Sequence, residues 1–151
     1  YCDLWEAGAG GPQEIVRYTH PDKLVTCFAS SPKDALRAFV YGMHLLVTYT
    51  KDQTVAPEYR RFVKLRQELR EQAAPGYPQG FRDNRGLAVP SAALVAKAYA
   101  GEQGVTIVYY SEEAVIGELT VDGAALGHPE LGARSFTVSL QPMEAGYFII
   151  R

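Results

Sequence analysis

Cysteine is scarce in this chain. Cys2 and Cys27 are the only two among 151 residues, too few for the disulfide framework that staples small secreted domains. No apolar run approaches the roughly 20 residues of a membrane-spanning helix, so no membrane partner is expected. A surplus of positive charge is missing too: 15 Lys and Arg face 17 Asp and Glu, a net charge of −2. Nucleic-acid-binding domains normally carry a basic excess, so no nucleic-acid partner is expected. Cys2, Cys27, His20, His44 and His128 lack the spacing of a zinc site. There is no GxSxG elbow. Gly8-Ala9-Gly10-Gly11 runs into Pro12 without completing a dinucleotide fingerprint, which makes it a loop. Neither a metal nor another cofactor is expected.

What is present is enough apolar material for a core: 47% of residues are hydrophobic and 21% charged, against the low hydrophobicity of disordered chains. The length suits one domain or two small units. It is too short for a complete eight-stranded (β/α) barrel, which takes about 250 residues. The first residue is Tyr1 rather than Met, and no leader pattern follows it. The beginning is therefore expected to have been removed, processed or omitted, and the further strands that a parallel pair needs are expected from a missing N-terminal portion or from another chain.

Charge changes along the chain. Residues 1–85 carry 12 basic and 10 acidic side chains, and residues 86–151 carry 3 and 7. The change falls near Ala73-Ala74-Pro75-Gly76-Tyr77-Pro78-Gln79-Gly80, whose breakers read as a linker. Three regions are expected: residues 1–74, a linker over 75–86, and a second unit over 87–151.

The first region alternates strand and helix. Lys23–Ala29 is a short apolar, partly β-branched run that fits a doubly buried strand. Ser31-Pro32-Lys33-Asp34 starts a helix, with Ser31 as N-cap, Pro32 at the first helical position and Asp34 in the positive first turn. Ala35, Leu36, Phe39, Val40 and Met43 then form one stripe, and Gly42 marks the end. His44–Tyr49 is a second strand. A strand, a helix and a strand with short joins make a parallel βαβ unit. A second helix runs from Pro57 to Gln72, with Tyr59, Phe62, Val63, Leu65 and Leu69 on its apolar side. Its Arg60, Arg61, Lys64, Arg66, Glu68, Arg70 and Glu71 read as a solvated face laced with ion pairs.

The second region reads as all-β. Strands are expected over 94–99, 105–110, 116–122, 135–140 and 146–151, with turn signals at Gly101 to Gly104 and at Asp122-Gly123. Thr106, Val108 and Tyr110 share one face, and Val105, Ile107 and Tyr109 the other. Phe81–Leu87 is a further extended segment. Five short strands with regular turns point to an antiparallel sandwich or meander.

Several segments resemble, in order, the C-terminal end of a TIM-barrel glycoside hydrolase. Arg17-Tyr18-Thr19-His20-Pro21-Asp22-Lys23 is similar to the lead into a late barrel strand, with His20 where the pattern has an aromatic. Ala38-Phe39-Val40-Tyr41-Gly42-Met43 is similar to a helix end of that family, and Phe62–Arg70 to its last helix. Phe81-Arg82-Asp83-Asn84-Arg85-Gly86-Leu87 is similar to the lead into its β-domain. The resemblance implies the terminal βαβα portion of a (β/α)8 barrel followed by a small antiparallel β-sandwich. It also implies a carbohydrate substrate, with an N-terminal barrel portion of the same protein as partner.

In a barrel, function lies at the C-terminal ends of strands. Glycoside hydrolysis commonly uses two carboxyl groups, one an acid and the other a nucleophile or base. Asp3 and Glu6 are the candidate catalytic pair. Trp5 between them could raise a carboxyl pKa by desolvation and stack on a sugar. Tyr49, Lys51 and Asp52, following the second strand, are candidate substrate contacts. A competing reading is a non-catalytic carbohydrate-binding or interaction module on the β half. Exposed coplanar aromatics on one sheet face would favour binding. A face closed by the Tyr59–Leu69 helix would favour a bracing role.

Overall fold

Ser31 starts the first helix by the reciprocal bonding its sequence implies. Its hydroxyl oxygen accepts from the Asp34 backbone N–H at 3.3 Å, while its own N–H and hydroxyl donate to Asp34 Oδ2 at 3.0 and 2.9 Å. Such a cap is worth about 1 kcal/mol. The computed structural model describes Thr19 and residues 25–29, 31–47, 57–82 and 86–151. In chain order the elements are β1 (Thr26–Ala29), α1 (Pro32–Val40), β2 (His44–Val47), α2 (Pro57–Glu71), β3 (Phe81–Arg82), β4 (Leu87–Ala88), β5 (Leu94–Gly101), β6 (Gly104–Ser111), β7 (Val115–Asp122), β8 (Ala133–Leu140) and β9 (Glu144–Ile150). A short 3₁₀ turn, Pro129–Leu131, lies between β7 and β8.

β1 and β2 pair in parallel, Thr26 with His44 through Ala29 with Val47. The other seven strands form two antiparallel sheets, ordered β3-β5-β6-β9 and β4-β7-β8. They pack face to face around Ala96, Ala98, Val105, Ile107, Leu119 and Val138. The opposite face of the four-stranded sheet meets the helices: Tyr99, Val108, Tyr110 and Ala145 pack with Leu36, Phe39, Val40, Tyr59, Phe62 and Leu69. The far side of α1 contributes Ala38 to a third cluster with Val25, Cys27 and Met43. The layers therefore run from the β1–β2 pair through the helices and the four-stranded sheet to the three-stranded sheet.

This architecture overturns the expected α/β barrel portion. Among the described residues, parallel pairing is confined to the four residue pairs of β1 and β2, and the fold is a small β-rich one with two helices. The physical reason lies in what periodicity can specify. The stripe Ala35, Leu36, Phe39 and Val40 says which side of α1 is buried, not against what. Here it covers an antiparallel sheet instead of lying outside a parallel barrel wall.

The breaker-rich stretch after α2 is tied closely to β5. The Ala100 N–H donates to the Gly80 carbonyl at 2.7 Å, and the Thr106 hydroxyl donates to the Pro75 carbonyl at 2.8 Å in a buried bond. Gly76 has φ +70°, and a Cβ there would collide with the Ala100 backbone. Phe81–Leu87, read as one extended segment, contributes to two sheets. β3 pairs with β5 and β4 with β7.

Because the four-stranded sheet is buried on both sides, damage to either face should be felt by the whole. Ile107→Ala on the sandwich side and Leu36→Ala on the helix side should each cost about 2–5 kcal/mol. Urea unfolding followed by tyrosine fluorescence and by far-UV circular dichroism should show one coincident transition. Two separated transitions would mean that the layers unfold independently.

Candidate functional site

The sequence-predicted site residues Asp3, Trp5, Glu6, Tyr49, Lys51 and Asp52 all lie outside the described residues, so none is placed relative to another. Ser31, which follows β1, is occupied as the helix cap of α1. Cys27 is fully buried. Its thiol is pushed up by burial, then by the negative charge of Asp34, with Arg37 pulling the other way, so a reactive thiolate is disfavoured. Among the described residues no group of three or more His, Cys, Asp or Glu side chains could hold a metal ion.

Carbohydrate binding on a sheet face would need an open aromatic platform. The outer face of β4-β7-β8 presents Ile116 opposite Ser139, Glu118 opposite Thr137, and Thr120 opposite Ser135, with Ile116 81% exposed. None of these is aromatic. The aromatic residues of the sandwich stack inward, where the Phe148 ring lies 5.1 Å from Tyr109 and 4.5 Å from Phe136 between centroids. Burial pushes the Tyr109 phenol up to about 12.

The opposite sheet face is closed, and its closure completes α1. A helix ends with four carbonyls that lack an intrahelical partner. Here each has one. The Arg37 carbonyl accepts from the Tyr41 N–H, Ala38 from Met43, and Phe39 from Gly42. The Tyr77 hydroxyl also donates to the Phe39 carbonyl at 2.7 Å, and the Tyr99 hydroxyl donates to Val40 at 2.7 Å. The Tyr99 ring stands edge-on to Tyr77 and Phe81, with centroids 4.9 and 5.6 Å away. Lys97 is buried on the same sheet face, with its ammonium 5.5 Å from the Tyr41 ring centroid. Ion pairs ring this contact: Lys33 with Glu112 at 2.8 Å, and Arg61 with Glu144 at 2.9 Å.

Beside this closed face lies a half-open groove of about 790 Å³. It runs between α2 and the turn that follows, and is lined by Gly42, His44, Arg66, Arg70, Tyr77 and Gln79 among others. Arg66 Nη1 donates to the Met43 carbonyl, and its guanidinium carbon lies 5.7 Å from the Tyr77 ring centroid. By sequence pattern these arginines belong to a solvated helix face. Their four-residue spacing was visible, but the wall opposite them is made by Tyr77-Pro78-Gln79, and only the folded chain brings it there.

No protein-family model matches the chain, and no curated protein or solved structure was found to match it.

Two measurements check this geometry. Tyr99→Phe leaves the buried Val40 carbonyl without its hydroxyl donor and should cost about 1–3 kcal/mol, read as a lowered urea midpoint with an unchanged slope. The Tyr109 phenol, held at about 12 instead of 10, makes a contribution to stability that is fully present below pH 10. The unfolded chain releases that proton first, so the contribution is lost as pH rises from 10 to about 12. Absorbance titration at 295 nm should show a phase near pH 12 that Tyr109→Phe removes. An unchanged phase would place the shifted phenol elsewhere.

Proposed function

We propose that this chain is the C-terminal portion of a carbohydrate-active hydrolase, inactive as an isolated chain, in which the antiparallel sandwich braces a helical layer. The carbohydrate side of this reading comes from the ordered resemblance of segments between Arg17 and Leu87 to a glycoside hydrolase C-terminal end. The bracing side is carried by one observation: the four-stranded sheet is closed on its outer face by α1 and α2, and two of its neighbouring tyrosines terminate α1.

A brace must resist displacement of the layer it holds. Apolar burial supplies most of the attraction but little direction. The hydroxyl bonds from Tyr77 and Tyr99 supply direction, because each is short and aimed at one carbonyl. The competing reading, a carbohydrate-binding module, draws no support from the outer face of β4-β7-β8, whose cross-strand pairs are Ile116 with Ser139 and hydroxyl or carboxylate side chains beside them.

The test uses the 151-residue chain itself. It should show no turnover of aryl glycosides and no retardation in affinity electrophoresis through polysaccharide gels. Turnover would overturn the reading of the chain as a catalytically incomplete portion. Retardation by a neutral polysaccharide would replace bracing with a binding role.

A further inference from the structure

We infer that the groove between α2 and the 73–79 turn binds an oxyanion carried on a small organic body, either a carboxylate or a phosphate monoester. Its volume of about 790 Å³ falls within the roughly 300–1,000 Å³ range of small-molecule sites. The charge on its walls has one sign. Arg66 and Arg70 stand one helical turn apart and both line it, as does His44, and no Asp or Glu lines it among the described residues. Two like charges at this spacing repel across a helix face. A bound anion between them would convert that repulsion into attraction.

Arg66 is already held in place. One guanidinium N–H donates to the Met43 carbonyl, and the guanidinium carbon lies 5.7 Å from the Tyr77 ring centroid. A guanidinium has five N–H donors in a rigid fork, so donors remain for a ligand. Little side-chain freedom is left to lose on binding, which favours affinity. Forked donors match carboxylate and phosphate oxygens in pairs. Arg70 is exposed and takes part in no ion pair among the described residues, in contrast to Lys64 on the same helix, whose ammonium lies 3.9 Å from Glu68. The nearby carboxylate of Glu71 accepts from Gln67 Nε2 at 2.7 Å.

The groove is too large and too apolar for a bare ion. Val63, Leu69, Ala73, Ala74 and Pro78 contribute to its lining. Gly42, at φ +62°, sits where an added Cβ would meet the Pro78 carbonyl at 2.9 Å. These surfaces suit the carbon frame of the ligand, while the two arginines take its charge. This inference does not depend on the bracing role. Glycosidase turnover by the chain would leave it standing, and failure to bind anions would leave the brace standing.

The probes are glucuronate and glucose 6-phosphate, with glucose as the neutral control, titrated calorimetrically into the 151-residue chain at low ionic strength. Saturable binding of at least one anion is expected, with amide shifts at Gly42, Ala73 and Gln79. Preference for one probe identifies which oxyanion the groove selects. Arg70→Gln should weaken binding roughly tenfold or more, whereas Lys64→Gln, which removes the same unit charge outside the groove, should leave it unchanged. The inference is overturned by absence of saturable binding, by equal binding of glucose, or by equal weakening in both variants, since the last would reflect net charge alone.

Discussion

β6 is buried along its whole length, Gly104 to Ser111, and both of its faces are covered by different partners. Val105, Ile107 and Tyr109 point into the sandwich, while Val108 and Tyr110 point at the helices. An antiparallel strand commonly keeps one wet face. Here that option is closed, so the sandwich and the helical layer share a single central sheet. β5, β9 and α1 contact β6 directly. β5 and β9 flank it in continuous register, Ile107 lying between Ala98 and Phe148. α1 is held between that sheet and the β1–β2 pair.

Hydrogen bonding adds direction to this burial. The end of α1 points its carbonyls toward the sheet, where water cannot reach them, and a buried carbonyl without a donor is costly. Tyr77 and Tyr99 meet that demand from outside the helix. Their rings bury apolar area while their hydroxyls bond, a combination that suits tyrosine in a dry contact. The end of α2 is treated likewise. The Ala74 N–H donates to the Leu69 carbonyl, the Ala73 N–H to Arg70, and the Arg151 guanidinium donates to the Gln72 carbonyl. Arg151, following β9, is thus fastened to the helical layer. The Tyr147 hydroxyl, within 2.7 Å of Gln72 Nε2, makes a second tie from β9.

The groove is a consequence of how the chain leaves α2. The turn over 73–80 bends back under β5, with Gly76 and Gly80 allowing the backbones to approach. That bend places Tyr77 beside Arg66 and lays Pro78 against Gly42. A basic helix face becomes one wall of a cavity through the path of its neighbour, without any change in its own residues.

Much of the local structure was legible in the residues themselves. Ser31, Pro32 and Asp34 set the start of α1 because capping is a short-range matter. Gly42 marks its end because a left-handed φ is needed there. Strand geometry alone separated the two faces of β6 correctly, since successive side chains in a strand point to opposite sides. What each face would meet was a different question. The parallel pair β1–β2 suggested a barrel, and the tertiary structure put α1 against an antiparallel sheet instead. Hydrophobic periodicity records how much surface is hidden, and attraction between apolar surfaces carries no label for the partner. The tyrosine bonds to α1 span 38 residues from Tyr77 to Phe39 and 59 from Tyr99 to Val40. Arg66 reaches Met43 across 23. Contacts of that range are decided by the path of the whole chain, which local propensity does not contain.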